Sequence, residues 1–404
     1  MCYTLDIDLI LSMVWKVDNF SERKKEFMDR VVKVLAVADP AVSVYVDKKF
    51  KILDKFDGDV QFDVVPWAKY YSTMMDVFAG KAFYDVIMVA GHLWLRDFVE
   101  SGYLIPIEFE EEDILPGIVQ EIKYKEFTYL SPSFCDGHMI VYRKKILQEK
   151  YGKLFDEVIT PHEYIQAAIN VAYNDQMAAV AMKAHQSEIF TDALPFLRMG
   201  GQDVYDKNTF KVNCNNSNVI NGLKSYCVMK KLAPKDTDTY GNEEIAEAIQ
   251  KKKAAMAVTW SGQLGVVYNE DCEDKEDLGF ATFDTAWNVT WSFAISSNSK
   301  NIEKANELLR YLRSPEVDLI AGAHSGAPVR RNSYTDGMNK YPWYSCQLRM
   351  LENAQPIPCI KSAGDKNGIL YEEIANAFTG AKPPELAMED AERKINEIDD
   401  RKQN

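Results

Sequence analysis

The sequence lacks the motifs of several common enzyme classes and metal sites. Its seven cysteines form no CxxC pair, and its five histidines lie far apart without an HExxH pair. Neither a GxSxG elbow nor a GxxxxGK[ST] phosphate loop occurs. These absences argue against a zinc site, a thioredoxin-like site, a serine hydrolase and a P-loop nucleotide site. We therefore expect scattered free thiols, no metal and no cofactor.

Long hydrophobic runs and an excess of basic charge are also missing. The N-terminal run MCYTLDIDLILSMVWKV is broken by Asp6 and Asp8 and follows no basic segment, so it does not resemble a signal peptide or a membrane span. Taken alone, it indicates a cytoplasmic protein, or a chain from which a targeting segment has been cut. Cys2 lies close to where the lipid-modified cysteine of a mature lipoprotein would be. The net charge of −14 disfavours nucleic acid as a partner, because an acidic surface repels phosphates.

Aromatic side chains are abundant, at 12% of the 404 residues. The remaining composition, with 47% apolar and 27% charged residues, is that of a folded soluble protein. It excludes a disordered chain, a collagen-like fibre and a membrane-spanning bundle. The length allows two to three domains at about 150 residues each.

Apolar periodicity predicts alternating strands and helices in the first hundred residues. We expect a strand over 9–16, a helix over 22–36, a strand over 60–65, a helix over 67–78 and a buried strand over 86–90. This alternation indicates βαβ units with a parallel sheet. A second α/β region follows, and no Gly/Ser linker separates the two, which favours two lobes joined by extended segments.

Three segments carry a resemblance to a known family. They are FAGKAFYDVIMVAGHLWLRDFVESGYLIPI, YKEFTYLSPSFCDGHMIVYRKKIL, and MLENAQPIPCI followed by YEEIANAFTGAKPPELAMEDAERKINEI. In this order and spacing they resemble the extracellular solute-binding proteins that serve sugar importers, from about residue 9 to about residue 398. Two features depart from that family: Tyr84 stands where it usually has proline, and the stretch over 36–56 is longer.

The resemblance implies an α/β fold of the periplasmic-binding-protein type, with two discontinuous lobes that close on a hinge. The lobes would be 1–130 plus 284–328, and 131–283 plus 329–404. It also implies the substrate-binding component of an ABC importer, acting as a monomer with a membrane permease, and not an enzyme. The family's location would be extracellular, at the cell surface or in the periplasm. The expected ligand is a carbohydrate, in particular an oligosaccharide.

A sugar site needs aromatic faces for the ring C–H groups and polar side chains for the hydroxyls. In open α/β sheets such a site lies at the carboxyl ends of the strands. Strand-end position or match to the family selects the candidate ligand contacts: Trp15, Lys16, Asp18, His92, Trp94, Asp136, Glu188, Phe190, Trp260, Trp287, Asn288, Trp291, Asp365 and Asn367. The loop AWNVTW stands where the family usually has Gly-Gly, and we expect its tryptophans to form a stacking surface.

Two alternatives remain open at this point. In the first, the chain is still a binding protein, but its ligand is a polyamine or a metal–anion complex. Tyr70-Tyr71 is the candidate pair of ligands for a ferric ion in such a complex. Adjacent residues on a helix point about 100° apart, which weakens the ferric interpretation. The second alternative is a carbohydrate-active enzyme, because Asp136 and Glu188 beside tryptophans also fit a glycosidase cleft.

Overall fold

Two separate β-sheets, each packed against helices, form the frame of the chain. A computed structural model describes residues 31–110, 112–171, 177–325 and 327–401. The strands are β1 Val32–Val37, β2 Val60–Val65, β3 Val86–Ala90, β4 Leu104–Ile105, β5 Lys123–Tyr124, β6 Phe127–Thr128, β7 Leu130–Cys135, β8 His138–Arg143, β9 Val158–Ile159, β10 Ala178–Ala181, β11 Ala254–Trp260, β12 Leu278–Phe283 and β13 Thr290–Ser296. The α-helices are α1 Pro40–Val46, α2 Trp67–Phe78, α3 Gly91–Glu100, α4 Pro116–Glu121, α5 Lys144–Lys150, α6 Pro161–Val171, α7 Ile189–Leu197, α8 Ser217–Val228, α9 Asn242–Gln250, α10 Leu264–Val267, α11 Ile302–Leu312, α12 Pro315–Ser325, α13 Arg331–Gly337, α14 Tyr344–Asn353, α15 Ala363–Thr379 and α16 Pro384–Arg401.

The first sheet has the strand order β2-β1-β3-β13-β4, and β7 also pairs with β13. Strands β2, β1 and β3 are parallel, with Val32 opposite Val60. Strand β13 runs antiparallel to β3 and places Trp291 opposite Ala90. The start of β13 therefore lies beside the carboxyl end of β3.

The second sheet has the strand order β10-β11-β8-β12-β9. Strand β8 is central and antiparallel to both β11 and β12, and it places His138 opposite Trp260. Strands β5 and β6 form a separate hairpin. Because β7 belongs to the first sheet and β8 to the second, the chain crosses between the sheets at Asp136 and Gly137. It crosses back between β12 and β13.

One sequence prediction about the first sheet is wrong. Residues 32–36, expected to end a helix over 22–36, form strand β1, which pairs with two neighbours. The segment VKVLAV is a continuous apolar run rich in β-branched valine, and such a run fits a strand buried on both faces. The apparently long stretch over 36–56 is thus the loop and helix α1 that follow β1. The strand expected over 9–16 lies outside the described residues.

The buried positions explain why the other strands form where the sequence indicates. All five residues of β3 are fully buried, as a central parallel strand requires. Pro66 ends β2 and begins the turn into α2.

Cysteines 135, 214, 272 and 346 are buried and unpaired. Within the described ranges, no helix combines the length and the apolar character that crossing a bilayer requires.

We expect Gly222→Ala to destabilise the protein by about 2–3 kcal/mol, since overpacking forces backbone shifts. A Cβ at Gly222 in α8 would lie 2.2 Å from the carbonyl oxygen of Phe196 in α7, where helix meets helix. Urea unfolding would measure the loss. The matched control is Gly368→Ala in α15, where no heavy atom lies within 4 Å of the added carbon. That variant should be neutral or stabilised by about 0.5–1 kcal/mol, and equal midpoints for the two variants would contradict the packing argument.

Candidate functional site

The carboxyl ends of three parallel strands meet at one edge of the first sheet. Asp39 follows β1, Trp67 follows β2, and His92 follows β3. The antiparallel strand β13 brings Trp291 to the same edge, because Trp291 pairs with the last residue of β3. Parallel strands align their carboxyl ends, so these four side chains come from distant parts of the sequence to one wall.

The second sheet supplies the facing wall. Strand β11 ends at Trp260, Glu188 precedes α7, and Tyr371 projects from α15. An inner cavity of about 210 Å³ separates the two walls. Its lining residues are Val37, Ala38, Asp39, Trp67, His92, Leu93, Asp136, Ser187, Glu188, Asn242, Trp260, Val289, Trp291 and Tyr371.

A wider mouth of about 540 Å³ continues from the inner cavity. The two share Trp67, Leu93, Ser187 and Tyr371. The mouth adds Tyr71, Trp94, Asp97, His185, Gln186, Ser362, Gly364, Asp365, Asn367 and Gly368. We call the inner cavity and its mouth together the cleft.

Aromatic rings line the first wall of the cleft in contact with one another. Trp67 stacks on Trp94 with ring centroids 5.7 Å apart, and meets Trp291 edge-on at 5.9 Å. Trp67 is 49% exposed although it is a large apolar side chain. A soluble protein leaves such a surface open mainly where something binds to it.

Trp260 on the facing wall is held in place by polar and aromatic partners. Its indole Nε1 donates a hydrogen bond to Glu188 Oε2 at 2.9 Å. The rings of His138 and Trp287 contact it edge-on, at centroid distances of 4.9 and 5.0 Å. These contacts fix the orientation of the ring, which is what a stacking platform requires.

Two carboxylates lie at the base of the cleft. Asp39 caps α1, accepting a hydrogen bond from the Ala41 backbone N–H at 2.8 Å, and burial raises its pKa from 3.8 to about 6. Asp136 accepts from the Gly262 backbone N–H at 3.4 Å. Burial, together with the charge of Asp39, raises the pKa of Asp136 well above its ordinary value. Both carboxylates are therefore costly to ionise in the empty protein.

Behind Trp260 lies a group of buried polar side chains. The Nζ atom of Lys183 is 5.0 Å from the Trp260 ring centroid and has no hydrogen-bond partner among the described residues. Burial lowers the pKa of Lys183 to about 8 and raises that of Asp192 to about 7. Both ring nitrogens of His138 also lack a hydrogen-bond partner in this part of the chain, and Nδ1 lies 3.9 Å from Asp192 Oδ1. Burial holds the pKa of His138 well below its ordinary value, so the ring is neutral.

The structure brings most of the described candidate contacts together. Those that line the cleft are His92, Trp94, Asp136, Glu188, Trp260, Trp291, Asp365 and Asn367. Trp15, Lys16 and Asp18 lie outside the described residues. Asn367 is also tied to the fold, since its Oδ1 accepts a hydrogen bond from the Tyr205 hydroxyl at 3.0 Å.

Three expected contacts lie elsewhere and are corrected here. Trp287 is fully buried, donates its Nε1–H to the Thr191 carbonyl, and supports Trp260 without reaching the cleft. Phe190 is buried against Tyr371. Asn288 is buried, and its Nδ2 donates a hydrogen bond to Glu121 Oε1 at 3.0 Å. Of the two tryptophans in the loop AWNVTW, only Trp291 lines the cleft.

Among the cleft residues that sequence reasoning missed are Asp39, Trp67 and Tyr371. Asp39 follows the apolar run VKVLAV, so recognising that run as a strand identifies it. Trp67 meets the same strand-end criterion, because it follows β2 and Pro66. Tyr371 lies in the middle of α15, where no local signal distinguishes a cleft residue from a core residue.

A separate cavity of about 510 Å³ shares only His92 with the cleft. It lies between Glu121 and the segment over 355–359, and its lining mixes apolar side chains such as Ile357 with charged ones such as Lys123 and Asp206. Burial raises the pKa of Glu121 to about 7. Its carboxylate accepts hydrogen bonds from Thr290 and Asn288, which act in the opposite direction. The cleft is the better candidate site because strand ends from both sheets, rigid aromatic rings and carboxylates converge there.

The candidate ferric pair is not supported. Tyr70 is fully buried, and its hydroxyl donates to the Met88 carbonyl at 2.7 Å, whereas the adjacent Tyr71 is exposed at the mouth of the cleft. Across the described ranges, no group of three or more His, Cys, Asp or Glu side chains could hold a metal ion.

We expect Asp39→Asn to stabilise the ligand-free protein by about 1–2 kcal/mol above pH 6, with little effect below about pH 4. Asparagine keeps the helix cap but cannot ionise. The raised pKa means that ionising Asp39 costs stability as pH rises from 3.8 through about 6, and the variant avoids that loss. Thermal melting across this pH range would measure the difference. A gain of the same size at every pH would contradict this explanation.

Comparison with known proteins identifies the family. Residues 40–318 match the family model of the bacterial extracellular solute-binding proteins. Over 283 residues the chain is 24% identical to a "Probable ABC transporter-binding protein" of Deinococcus radiodurans, and the match covers 66% of each protein. Over 356 residues it is 23% identical to a "Probable amino-acid ABC transporter periplasmic-binding protein" of Sinorhizobium fredii, covering 81% of this chain and 79% of that one.

Solved structures share the fold over nearly the whole chain. Maltose-bound T. maritima MalE3 has a TM-score of 0.80 at 20% identity, covering 91% of this chain and 99% of that one. The GacH receptor of Streptomyces glaucescens, solved unliganded and with acarbose, has a TM-score of 0.78 at 18% identity, covering 91% and 98%. These likenesses confirm the expected two-lobed α/β fold. Because the family model covers more than half of the 404 residues, this chain belongs to the bacterial extracellular solute-binding protein family.

Proposed function

We propose that this protein is the substrate-binding component of an ABC importer and captures a carbohydrate, in particular an oligosaccharide, in the cleft. The observation that carries the proposal is the pair of facing aromatic walls, with Trp67 and Trp291 on one side and Trp260 and Tyr371 on the other. Flat aromatic faces suit the weakly apolar C–H faces of sugar rings. The related structures with bound maltose, acarbose and D-mannitol support this ligand class.

Polar groups between the aromatic walls would satisfy the hydroxyls. Asp136 and Glu188 are charge-assisted acceptors at the base, and Asn242 and Ser187 supply neutral donors and acceptors beside them. A buried hydroxyl left without a partner costs about 1–3 kcal/mol, so this lining sets which ring substituents fit.

Closure of the two lobes would couple ligand binding to recognition by the membrane permease. We take the lobes as about 1–130 plus 284–328 and 131–283 plus 329–404. The pairing of β7 with β13 supports a first crossing a few residues later than 130, at Asp136–Gly137. Asp97 of the first lobe already accepts hydrogen bonds from the Ser362 backbone N–H of the second, at 2.9 and 3.1 Å. A ligand that touches both walls binds the closed state more tightly, and this difference shifts the population toward closure.

The closed form would then dock on a membrane permease driven by a separate ATPase. The protein acts as a monomer, outside the cell at its surface or in the periplasm. Both curated relatives are named as ABC transporter binding proteins, which supports this role.

We expect Trp67→Ala to weaken sugar binding at least about tenfold, because it removes the exposed face of the first wall. A thermal-shift screen of mono- and oligosaccharides would find the ligand, and calorimetry would give the affinities. The matched control is Phe127→Ala, since Phe127 is 50% exposed but does not line the cleft. Equal affinities for the two variants, or no sugar that raises the melting temperature, would contradict the proposal.

Capture without cleavage is part of this proposal. Glu188 Oε2 accepts the Trp260 indole hydrogen bond and Asp136 Oδ1 accepts a backbone N–H, so both carboxylates contribute to positioning the walls. We expect labelled oligosaccharides incubated with the protein to stay intact, as chromatography would show. Products that disappear with Asp136→Asn would instead establish a glycosidase.

A non-sugar solute is the second candidate. The observation that favours it is the absence of Lys and Arg among the described cleft-lining residues, which suits a cationic solute such as a polyamine. The name of the Sinorhizobium relative also points to a ligand other than a sugar. The same thermal-shift screen, extended to polyamines and amino acids, separates the two candidates.

A further inference from the structure

Within the described parts of the chain, the hydrogen bonds to the cleft carboxylates come from neutral donors. Five line it: Asp39, Asp97, Asp136, Glu188 and Asp365. The hydrogen bonds to Asp39, Asp97 and Asp136 come from backbone N–H groups, and the one to Glu188 comes from an indole N–H. In the described parts of the chain, none of the five lies within ion-pair distance of a basic side chain, and no Lys or Arg lines the cleft.

Some buried acids elsewhere in the molecule carry a basic partner. Asp203 pairs with Arg198 at 2.8 Å, and the fully buried Glu373 pairs with Lys382 and Lys394, each at 2.7 Å. Others, such as Asp85 and Asp318, are held by backbone N–H groups and serine hydroxyls deep in the fold. The cleft differs from both cases because its carboxylates line a cavity that a ligand can enter.

Lys183 does not supply the missing charge. It is fully buried and lines neither part of the cleft. Its single ammonium group faces Asp192 as well as Asp39, Asp136 and Glu188. With one cation among four carboxylates, the base of the cleft keeps an excess of negative charge whenever these acids are ionised.

One of these acids, Asp136, has a carboxylate oxygen that can accept a hydrogen bond from a ligand. Asp136 is 93% buried, taking its exposure of 7%, and its side chain lines the inner cavity. Its Oδ1 accepts a long hydrogen bond of 3.4 Å from Gly262 N–H, whereas Oδ2 accepts none from the described residues. The carboxylate can therefore accept a further hydrogen bond, which a ligand in the cavity can donate.

The same inner cavity carries the aromatic faces of Trp67, Trp260, Trp291 and Tyr371. The π-face of an aromatic ring attracts a cation, and Trp does so most strongly. Carboxylates and aromatic faces together therefore select a positively charged group, while the flat rings also accept the C–H face of a sugar.

We propose that the ligand of the cleft carries a protonated amine, which Asp39 and Asp136 bind at the base, and that this ligand is an amino sugar. The ammonium group has three donors, so it can bridge Asp39 on the first wall and Asp136 at the crossing between the lobes. The proposal rests on the proposed function in taking the cleft as the ligand site. Polyamines and amino acids share the ammonium group, and the experiment separates these sources.

Calorimetry at about pH 7 should compare the glucosamine disaccharide with its N-acetylated counterpart, because the pair differs only in replacing the ammonium group by a neutral amide. We expect the amine form to bind at least about tenfold more tightly, and its affinity to fall with added salt. Putrescine, spermidine and free amino acids form the other arms of the comparison.

Asp136→Asn should remove most of the preference for the amine and leave binding of the N-acetylated sugar less affected. Asp39→Asn, which keeps the helix cap, is the second variant and should act in the same direction. The control is Glu270→Gln, since the Glu270 side chain is 93% exposed and outside the cleft. The control should retain the full preference.

Each outcome bears on the two proposals separately. If neutral sugars bind as tightly as amino sugars, the amine proposal is overturned and the carbohydrate function stands. If only polyamines or only amino acids bind, the ammonium site stands, but the amino sugar and the carbohydrate function are both overturned. If no amine and no sugar binds, both proposals are wrong.

Discussion

The position of the two sheets depends on the close approach of the two chain crossings at Asp136 and Gly137. A Cβ at Gly137 would lie 2.5 Å from the Trp287 carbonyl oxygen, so only glycine fits. The Asp136 N–H donates to the Val289 carbonyl at 2.8 Å, and the Ser261 N–H donates to the Gly137 carbonyl at 2.6 Å. Both crossings and the end of β11 are therefore tied together. The side chain of Asp136 enters the cleft from this point, between the two sheets.

This arrangement suggests a role for the Asp136 carboxylate in the cleft. The crossing must bend if the lobes are to close, and burying Asp136 there costs free energy. Lys183 offsets only part of that cost, since no described basic side chain forms an ion pair with Asp136. A ligand that neutralises the charge would recover it, and would do so at the joint between the lobes. The affinity for the ligand and the closure of the lobes would then both depend on the carboxylate of Asp136.

Much of the fold follows from local sequence. The strand over 60–65, the helix over 67–78 and the buried strand over 86–90 form where periodicity indicates, because each has a clear apolar pattern and a terminating Pro or Gly. Residues 32–36 are the end of the helix that periodicity predicts over 22–36, yet they form β1. The pairing of β1 with β2 and β3 is non-local, and a short apolar run carries no information about it. This error hid Asp39, whose role depends on being at a strand end.

The sequence by itself determined the family and the alternation of strands and helices, because strand ends and motif order are local properties. It also selected eight residues that line the cleft, among the eleven described candidates. Only the tertiary structure decided between Trp287 and Trp291, which lie four residues apart in one loop. The fold buries Trp287 against His138 and Trp260 and leaves Trp291 beside Trp67. It also decided that the cleft carboxylates form no ion pair with the basic side chains of the described ranges, because ion pairing depends on which distant side chains meet.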